Sequence, residues 1–448
     1  MSPRQIIKQY MLSRFNKKIR PEHLKIINNI SWLFFGKLFR AFVGLIMGTW
    51  VARYLGPKDF GVLQYALAFS SFFLPLSTAQ MSPIVTRDLV RKPELRNKIL
   101  GTAFSIQITG GILAAILSVT AIILLSPRDP YIQLLVAIVS LKFLFNSFQP
   151  IENWFESQVK AKFQVFASNL AFIGITILKI FLLINQAPLV VFAWVISLEA
   201  IIYAAILIFY YQSDKQNIRK WTTDFKKVKY LLKESYPLLL SATAILFYSS
   251  IDRVMLGDMI GSGSVGIYSS AANLSSQLYF LPVIICSSLF PSIVKAKNLS
   301  KVDYQKKMAK IHDLIAILSY SLILILIPLS GFLITLLYGN DYRAAIPIFS
   351  IHICTCLFTF QGEVRSKWIV TEGLQKLNLY ARLSGLLLNV LLNLFLIPAY
   401  QGIGAAIATL ISASVSNYIC FLFWQETREN ALLTAKALFI PFRLSKFR

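Results

Sequence analysis

The residues of this 448-residue chain that could do chemistry are cations embedded in apolar sequence. Lys37, Arg40, Lys142, Lys179 and Arg382 lie inside long apolar runs, and Arg253 stands at the end of another. Asn146, Asn389 and Asn393 share those runs. A cation at a lipid-facing helix centre costs roughly 2.5–3.5 kcal/mol on an insertion scale. Five together would cost on the order of 12–18 kcal/mol, more than the whole margin of a typical fold. They must therefore face protein or water, or snorkel from a helix end. Guanidinium and ammonium groups give charge-assisted hydrogen bonds to phosphate, and amides match sugar hydroxyls. The set suits an anionic, hydroxyl-rich ligand, and its chemistry is binding.

Helical spacing, about 100° per residue, sorts these groups into stripes. Asn378, Arg382, Asn389 and Asn393 form one, and Lys142, Asn146, Gln149 and Asn153 a second. Asn29 aligns with Arg40, Lys37 lies one turn from Arg40, and Ser168 shares a face with Lys179. Trp154 and Trp368 precede Lys162-Phe-Gln164 and Lys376-Leu-Asn378 by the same interval, which equates Ser168 with Arg382 and Lys179 with Asn393. The stripes are expected to line one shared cavity. Acidic residues are scarce in the runs: Glu199, Asp252 and, at the mouth of the ninth, Asp313. Glu199, Asp252 and His352 are the candidate charge partners or coupling groups. The alternative role for the cations is to pair with them and hold helices together.

Twelve apolar stretches must position these residues, at roughly 27–52, 61–81, 99–125, 131–150, 163–185, 187–211, 237–257, 264–290, 311–337, 345–362, 378–398 and 402–424. About twenty apolar residues span a bilayer as a helix, and a mean hydropathy of +0.62 with 56% apolar content fits that reading. Continuous runs exclude an outer-membrane barrel, whose strands alternate. The fold class is an all-α polytopic membrane protein.

The formal charge of +25 is topological. By these boundaries 35 Lys and Arg fall in the two tails and the even-numbered connections, against 5 on the opposite side, counting Arg253 at the end of its run. That asymmetry predicts both termini in the cytoplasm, with some contact to anionic lipids and no nucleic-acid partner. The basic amino-terminal tail is expected to be retained, because Asn28, Asn29, Lys37 and Arg40 interrupt the apolar run and no small-residue cleavage site follows. Cys286, Cys354, Cys356 and Cys420 all fall within spans, so neither a disulfide framework nor a metal site is expected. No GxxxxGK[ST] sequence and no long external loop is present, which argues against ATP hydrolysis and other catalysis. No cofactor is expected.

The longest polar interval divides the chain into a bundle over 1–212, a linker over 213–236 and a second bundle over 237–448. Tyr54-Leu-Gly-Pro-Lys-Asp-Phe-Gly61-Val-Leu-Gln-Tyr65 is echoed by Met255-Leu-Gly257 and Val265-Gly266-Ile-Tyr268. Pro75 and Pro83 in the second span are echoed by Pro282 and Pro291 in the eighth. Four echoes in one order support a duplicated six-helix unit. Six is even, so the two bundles should relate by a pseudo-two-fold along the membrane normal, with substrate between them. Gly44-Leu-Ile-Met-Gly48 is a close-packing element.

Arg53-Tyr-Leu-Gly-Pro-Lys-Asp-Phe-Gly61-Val, the following Arg87-Asp88, and Ile251-Asp-Arg253-Val-Met-Leu-Gly257 resemble the polysaccharide-transport (Wzx-type O-antigen/oligosaccharide flippase) family. That family belongs to the multidrug/oligosaccharidyl-lipid/polysaccharide exporter superfamily, and the resemblance covers the full chain. It implies a bacterial inner-membrane protein that moves an undecaprenyl-diphosphate-linked oligosaccharide to the periplasmic leaflet by alternating access. Polysaccharide polymerase and chain-length proteins are the pathway partners it implies. The family's cationic cavity would fall on Arg40, Lys179, Arg253 and Arg382. The competing expectations are a cation-coupled multidrug exporter of the same fold, a lipid II flippase, and a membrane glycan polymerase or ligase. Lipid II flippases usually carry two further spans, which this sequence lacks.

Overall fold

The computed structural model describes residues 21–440 and 443, with side chains from Phe39 onward, so Lys37 and Asn29 lie outside the described side chains. Among the described residues ten helical stretches are long and apolar enough to cross a membrane, counting one bent pair as a single span. Two of the ten are broken inside by a residue with non-helical backbone, so the ten comprise twelve helical arms. At Gly56 the backbone takes φ +71, and Tyr342 then touches both arms: its hydroxyl donates to Ala52 O at 2.7 Å and its ring meets Phe60 at 6.3 Å. At Gln401 φ is +51, and Gly404 packs directly on the Leu396 carbonyl. Only a glycine could make that second approach, because a Cβ at 404 would occupy the carbonyl's place.

The helices are α1 (21–55), α2 (57–91), α3 (Arg96–Leu125), α4 (Pro130–Ser157), α5 (Ala161–Ile184), α6 (Leu189–Ser213), α7 (Phe225–Met259), α8 (Ser262–Leu299), α9 (Lys301–Tyr338), α10 (Ala345–Glu372), α11 (375–400), α12 (402–423) and α13 (Gln425–Leu438). No strand occurs among the described residues. Local chemistry sets several starts. Asp129 accepts from Ile132 N with Pro130 in the first turn of α4, Asp224 accepts from Lys226 N and Lys227 N at α7, and Ser300 accepts from Asp303 N at α9. The break in α2 at Phe72–Phe73 bends it by 49°.

Several helices outrun their apolar stretches. The fourth continues to Ser157 and the tenth to Glu372, while the seventh begins at Phe225 inside the expected linker. Arg365 is thereby corrected: it is no loop residue of the charged side but lies within α10, 3% exposed. Glu152 and Glu363 likewise join Glu199 and Asp252 as carboxylates within helices that cross.

The crossings form two six-helix bundles that share a core at one end. At the end of the odd-numbered connections one apolar cluster joins Val51, Phe60, Tyr65 and Phe69 of the first half to Leu256, Val265, Tyr268 and Phe349 of the second. Two further clusters are separate, one from α2–α7 around Leu89, Trp154, Phe155 and Tyr211, the other from α8–α13 around Met308, Phe360, Trp368 and Phe421. In the shared seam Gly61 of α2 crosses Gly266 of α8. A Cβ at 61 would sit 2.8 Å from Gly266 N, and one at 266 would sit 3.1 Å from Gly61 N. The contact is reciprocal, as a two-fold axis requires. Tyr65 donates to Asp258 Oδ1 at 2.7 Å, Ser71 to Ser250 Oγ at 3.2 Å, and Phe72 stacks on Phe247 at 4.1 Å.

Candidate functional site

In the second half, α7, α8, α10, α11 and α12 enclose a cavity of about 340 Å³. Asp252, Arg253, Tyr268, His352, Glu363, Arg382 and Thr409 are among its lining residues. Asp252 is 3% exposed. Its Oδ2 accepts from Tyr268 at 2.6 Å and Thr409 at 2.7 Å, and its Oδ1 accepts from Asn393 Nδ2 at 2.6 Å. Asn393 is placed for this by Asn389, whose Oδ1 lies 3.2 Å from the same nitrogen. Asn389 and Asn393 are thus fully buried supports of Asp252 and do not line the cavity. A buried carboxylate is tolerable only when its lone pairs are filled, and this one is filled by neutral donors.

The cations are consequently left over. Arg253 donates to Asn273 Oδ1 at 2.9 Å, and its Nε has no partner. Arg365 donates to Asn417 Oδ1 at 3.2 Å, lies 3.8 Å over the Phe421 ring, and also keeps an unpartnered Nε. Gly362 makes the room, since a Cβ there would meet the Asn417 amide. Arg382 lines the same cavity, near enough to Arg365 for their charges to interact. Among the described residues none of the three guanidiniums has a carboxylate oxygen within 4 Å. His352 meets Tyr268 edge-on at 5.2 Å and leaves Nε2 unpartnered.

Asp252→Ala should therefore act on stability first. It strips two buried donors, Tyr268 and Asn393, and the half-buried Thr409 of their acceptor, at about 1–3 kcal/mol for each buried one in the worst case. The expected result is a clearly lowered unfolding temperature in detergent with reduced membrane abundance; an unchanged Tm would refute the clasp.

In the first half a cavity of about 420 Å³ is lined by Arg40, Glu152, Gln164, Ser168, Glu199 and Tyr203. Arg40 Nη2 pairs with Glu199 Oε1 at 3.3 Å, with side chains 41% and 29% exposed, and its guanidinium lies 5.4 Å from the Phe172 ring centre. A pair so open is worth no more than about 1 kcal/mol. Gln164 donates to Glu152 Oε2 at 2.8 Å. Lys179 is half-buried on α5 within the field of Glu199. Here the expectation of a cation-rich lining meets a correction: two carboxylates stand against Arg40.

Only part of the polar stripes lines a cavity, and there are two cavities, one in each half, in place of the single one expected. Ser168 faces the first and its counterpart Arg382 the second. Asn146 opens onto a small recess beside the first cavity and donates to Ser77 Oγ at 3.1 Å. Lys142 lies over the Phe143 ring at 5.7 Å and lines neither. Sequence reading missed Arg365, Glu152, Gln164 and Tyr203. The signal for Arg365 was the apolar face Phe360, Val364, Trp368, which keeps helical spacing past the end of the hydropathy window.

Comparison with known proteins adds a family. Residues 26–297 match the family described as polysaccharide biosynthesis protein. The chain is 24% identical to the capsular polysaccharide biosynthesis protein CapF of Staphylococcus aureus, over 90% of this chain and 100% of that one. It is 22% identical to a protein of Escherichia coli (strain K12) that carries the provisional name of O-antigen transporter, over 87% and 93%. Among solved structures it resembles the lipid II flippase MurJ in an inward closed conformation, with a TM-score of 0.73 and 17% identity over 93% of each chain.

Proposed function

Because the chain belongs to the polysaccharide biosynthesis protein family, we propose that it is a flippase for an undecaprenyl-diphosphate-linked oligosaccharide in surface-polysaccharide assembly. The observation that carries this reading is the pair Arg253 and Arg382, half-buried in the lining of the second cavity, with Arg365 buried behind Asn417 and none of the three within 4 Å of a carboxylate oxygen among the described residues. A diphosphate offers oxygens that match guanidinium forks, and it supplies the direct ion pair that these arginines lack. The amides and hydroxyls around both cavities would meet the sugars, and the prenyl tail would stay in lipid. The bundles would rock about the shared seam, so that the site opens to one face at a time. No bond is made or broken.

The charge asymmetry supports placing the even-numbered connections and both tails in the cytoplasm of a bacterial inner membrane. Reporter fusions after residues 215 and 260 should then read cytoplasm and periplasm; both on one side would defeat the arrangement. The function is tested with purified protein in liposomes loaded with a fluorescent prenyl-diphosphate oligosaccharide. Protection of half the lipid from an external quencher should be lost only when active protein is present. Drug efflux driven by sodium or protons, with no effect on the lipid-linked sugar, would favour the multidrug reading instead.

A further inference from the structure

A third cavity, about 360 Å³, lies away from both polar ones, at the end of the even-numbered connections. It is formed where α8 ends, α9 begins, α10 ends and α13 lies across them. Its apolar wall is Met308, Trp368 and Leu433. Its charged rim has two sides: Lys297 and Lys301 on one, Glu426 and Glu429 of α13 on the other. Lys297 is held by Glu372 at 2.9 Å and by Thr371 O at 2.8 Å, and Gln305 reaches Glu429. Neither Lys301 nor Glu426 has an ion-pair partner among the described residues.

The base of this cavity is unsatisfied in one defined way. His312, fully buried, lies with Nδ1 2.6 Å from Gln361 Oε1, and Gln361 Nε2 donates back to His312 O at 3.0 Å. The second bond fixes the Gln361 amide, so Oε1 must accept and Nδ1 must carry the proton. His312 Nε2 is then an acceptor, and Asn430 Nδ2, 3.3 Å away, is its donor. What remains is Asn430 Oδ1, a buried acceptor with no partner on a residue that lines the cavity and is 2% exposed. A native fold leaves few such groups empty.

We propose that this cavity binds the headgroup of a zwitterionic membrane lipid bearing a primary ammonium, of the phosphatidylethanolamine type. The ammonium has three donors, enough for Asn430 Oδ1, Glu426 and Glu429 together. The phosphate meets Lys301 and the remaining proton of Lys297, and the glycerol and upper chains lie against Trp368, Met308 and Leu433. A quaternary choline carries charge but no N–H and cannot satisfy Asn430, while a glycerol headgroup brings no cation at all.

The test is native mass spectrometry of the full chain released from nanodiscs of phosphatidylethanolamine, phosphatidylcholine or phosphatidylglycerol, repeated with the Glu426→Gln/Glu429→Gln double variant. These carboxylates sit on the exposed face of α13, so the variant should fold. The parent should retain the ethanolamine lipid about tenfold better than the choline lipid, and the variant should lose that preference. Equal retention of ethanolamine and choline lipids, or an unchanged preference in the variant, would overturn the assignment. So would soluble phosphoethanolamine displacing the lipid at comparable concentration, because the site would then belong to a free metabolite.

Discussion

Gly61→Val and Gly266→Val are each expected to abolish translocation while leaving the chain in the membrane. Both substitutions put side-chain atoms where the partner helix has backbone. At 61 the obstruction is Ser262 O and Gly266 N, and at 266 it is the Pro57 carbonyl and Gly61 N. Backbone cannot rotate aside as a side chain can, so α2 and α8 must separate. Overpacking of this kind costs about 1–3 kcal/mol in a soluble core, and more where two helices are held at backbone contact. Each 1.4 kcal/mol is about a tenfold shift in a two-state population, so the seam-closed conformation should become rare. A cysteine pair at Ser71 and Ser250, whose oxygens lie 3.2 Å apart across the seam, reports this directly. It should crosslink readily in the parent and at least tenfold less in either glycine variant. Normal crosslinking and normal export in both variants would show that the seam does not need this contact.

Arg382→Ala should abolish export with little loss of protein, and Arg365→Ala should do the same with more loss. Arg382 has no carboxylate partner among the described residues, so its removal leaves no buried charge behind. Arg365 also packs over Phe421 and fixes Asn417, so alanine there opens a hole. Lysine at 382 should restore part of the activity, since it matches a phosphate only as a point charge, and glutamate none. Arg40→Ala should be milder, because Arg40 spends its charge on a half-exposed pair with Glu199. A complementation assay beside a membrane immunoblot decides the matter. Full export by Arg382→Ala, or loss of export only in step with loss of protein, would reject a phosphate role for this group.

The class of the fold was legible because apolar run length is itself the physical requirement for spanning a bilayer. The break between the first two spans was legible as the interval 53–60, while the left-handed backbone at Gly56 that makes it came only from the structure. What escaped was charge buried inside a bundle. Arg365 and Glu152 follow apolar windows directly, and by hydropathy alone a buried arginine looks the same as a cytoplasmic one. The stripe containing Arg382 was visible, but periodicity gives a face and not the neighbour of that face. Only the structure shows that Asn393 turns to Asp252 and that Arg40 turns to Glu199, leaving two cavities where one was expected.

The bonds around His312 also bear on how the chain is made. Asn430 and Thr434 of the last helix supply contacts to a histidine that entered the membrane with the ninth span. Chains emerge amino-terminus first, so the imidazole, already under apolar cover with Gln361, waits for about 120 further residues before its Nε2 finds a donor. The contacts around His312 are therefore completed only once α13 has been made, after every crossing of the second bundle.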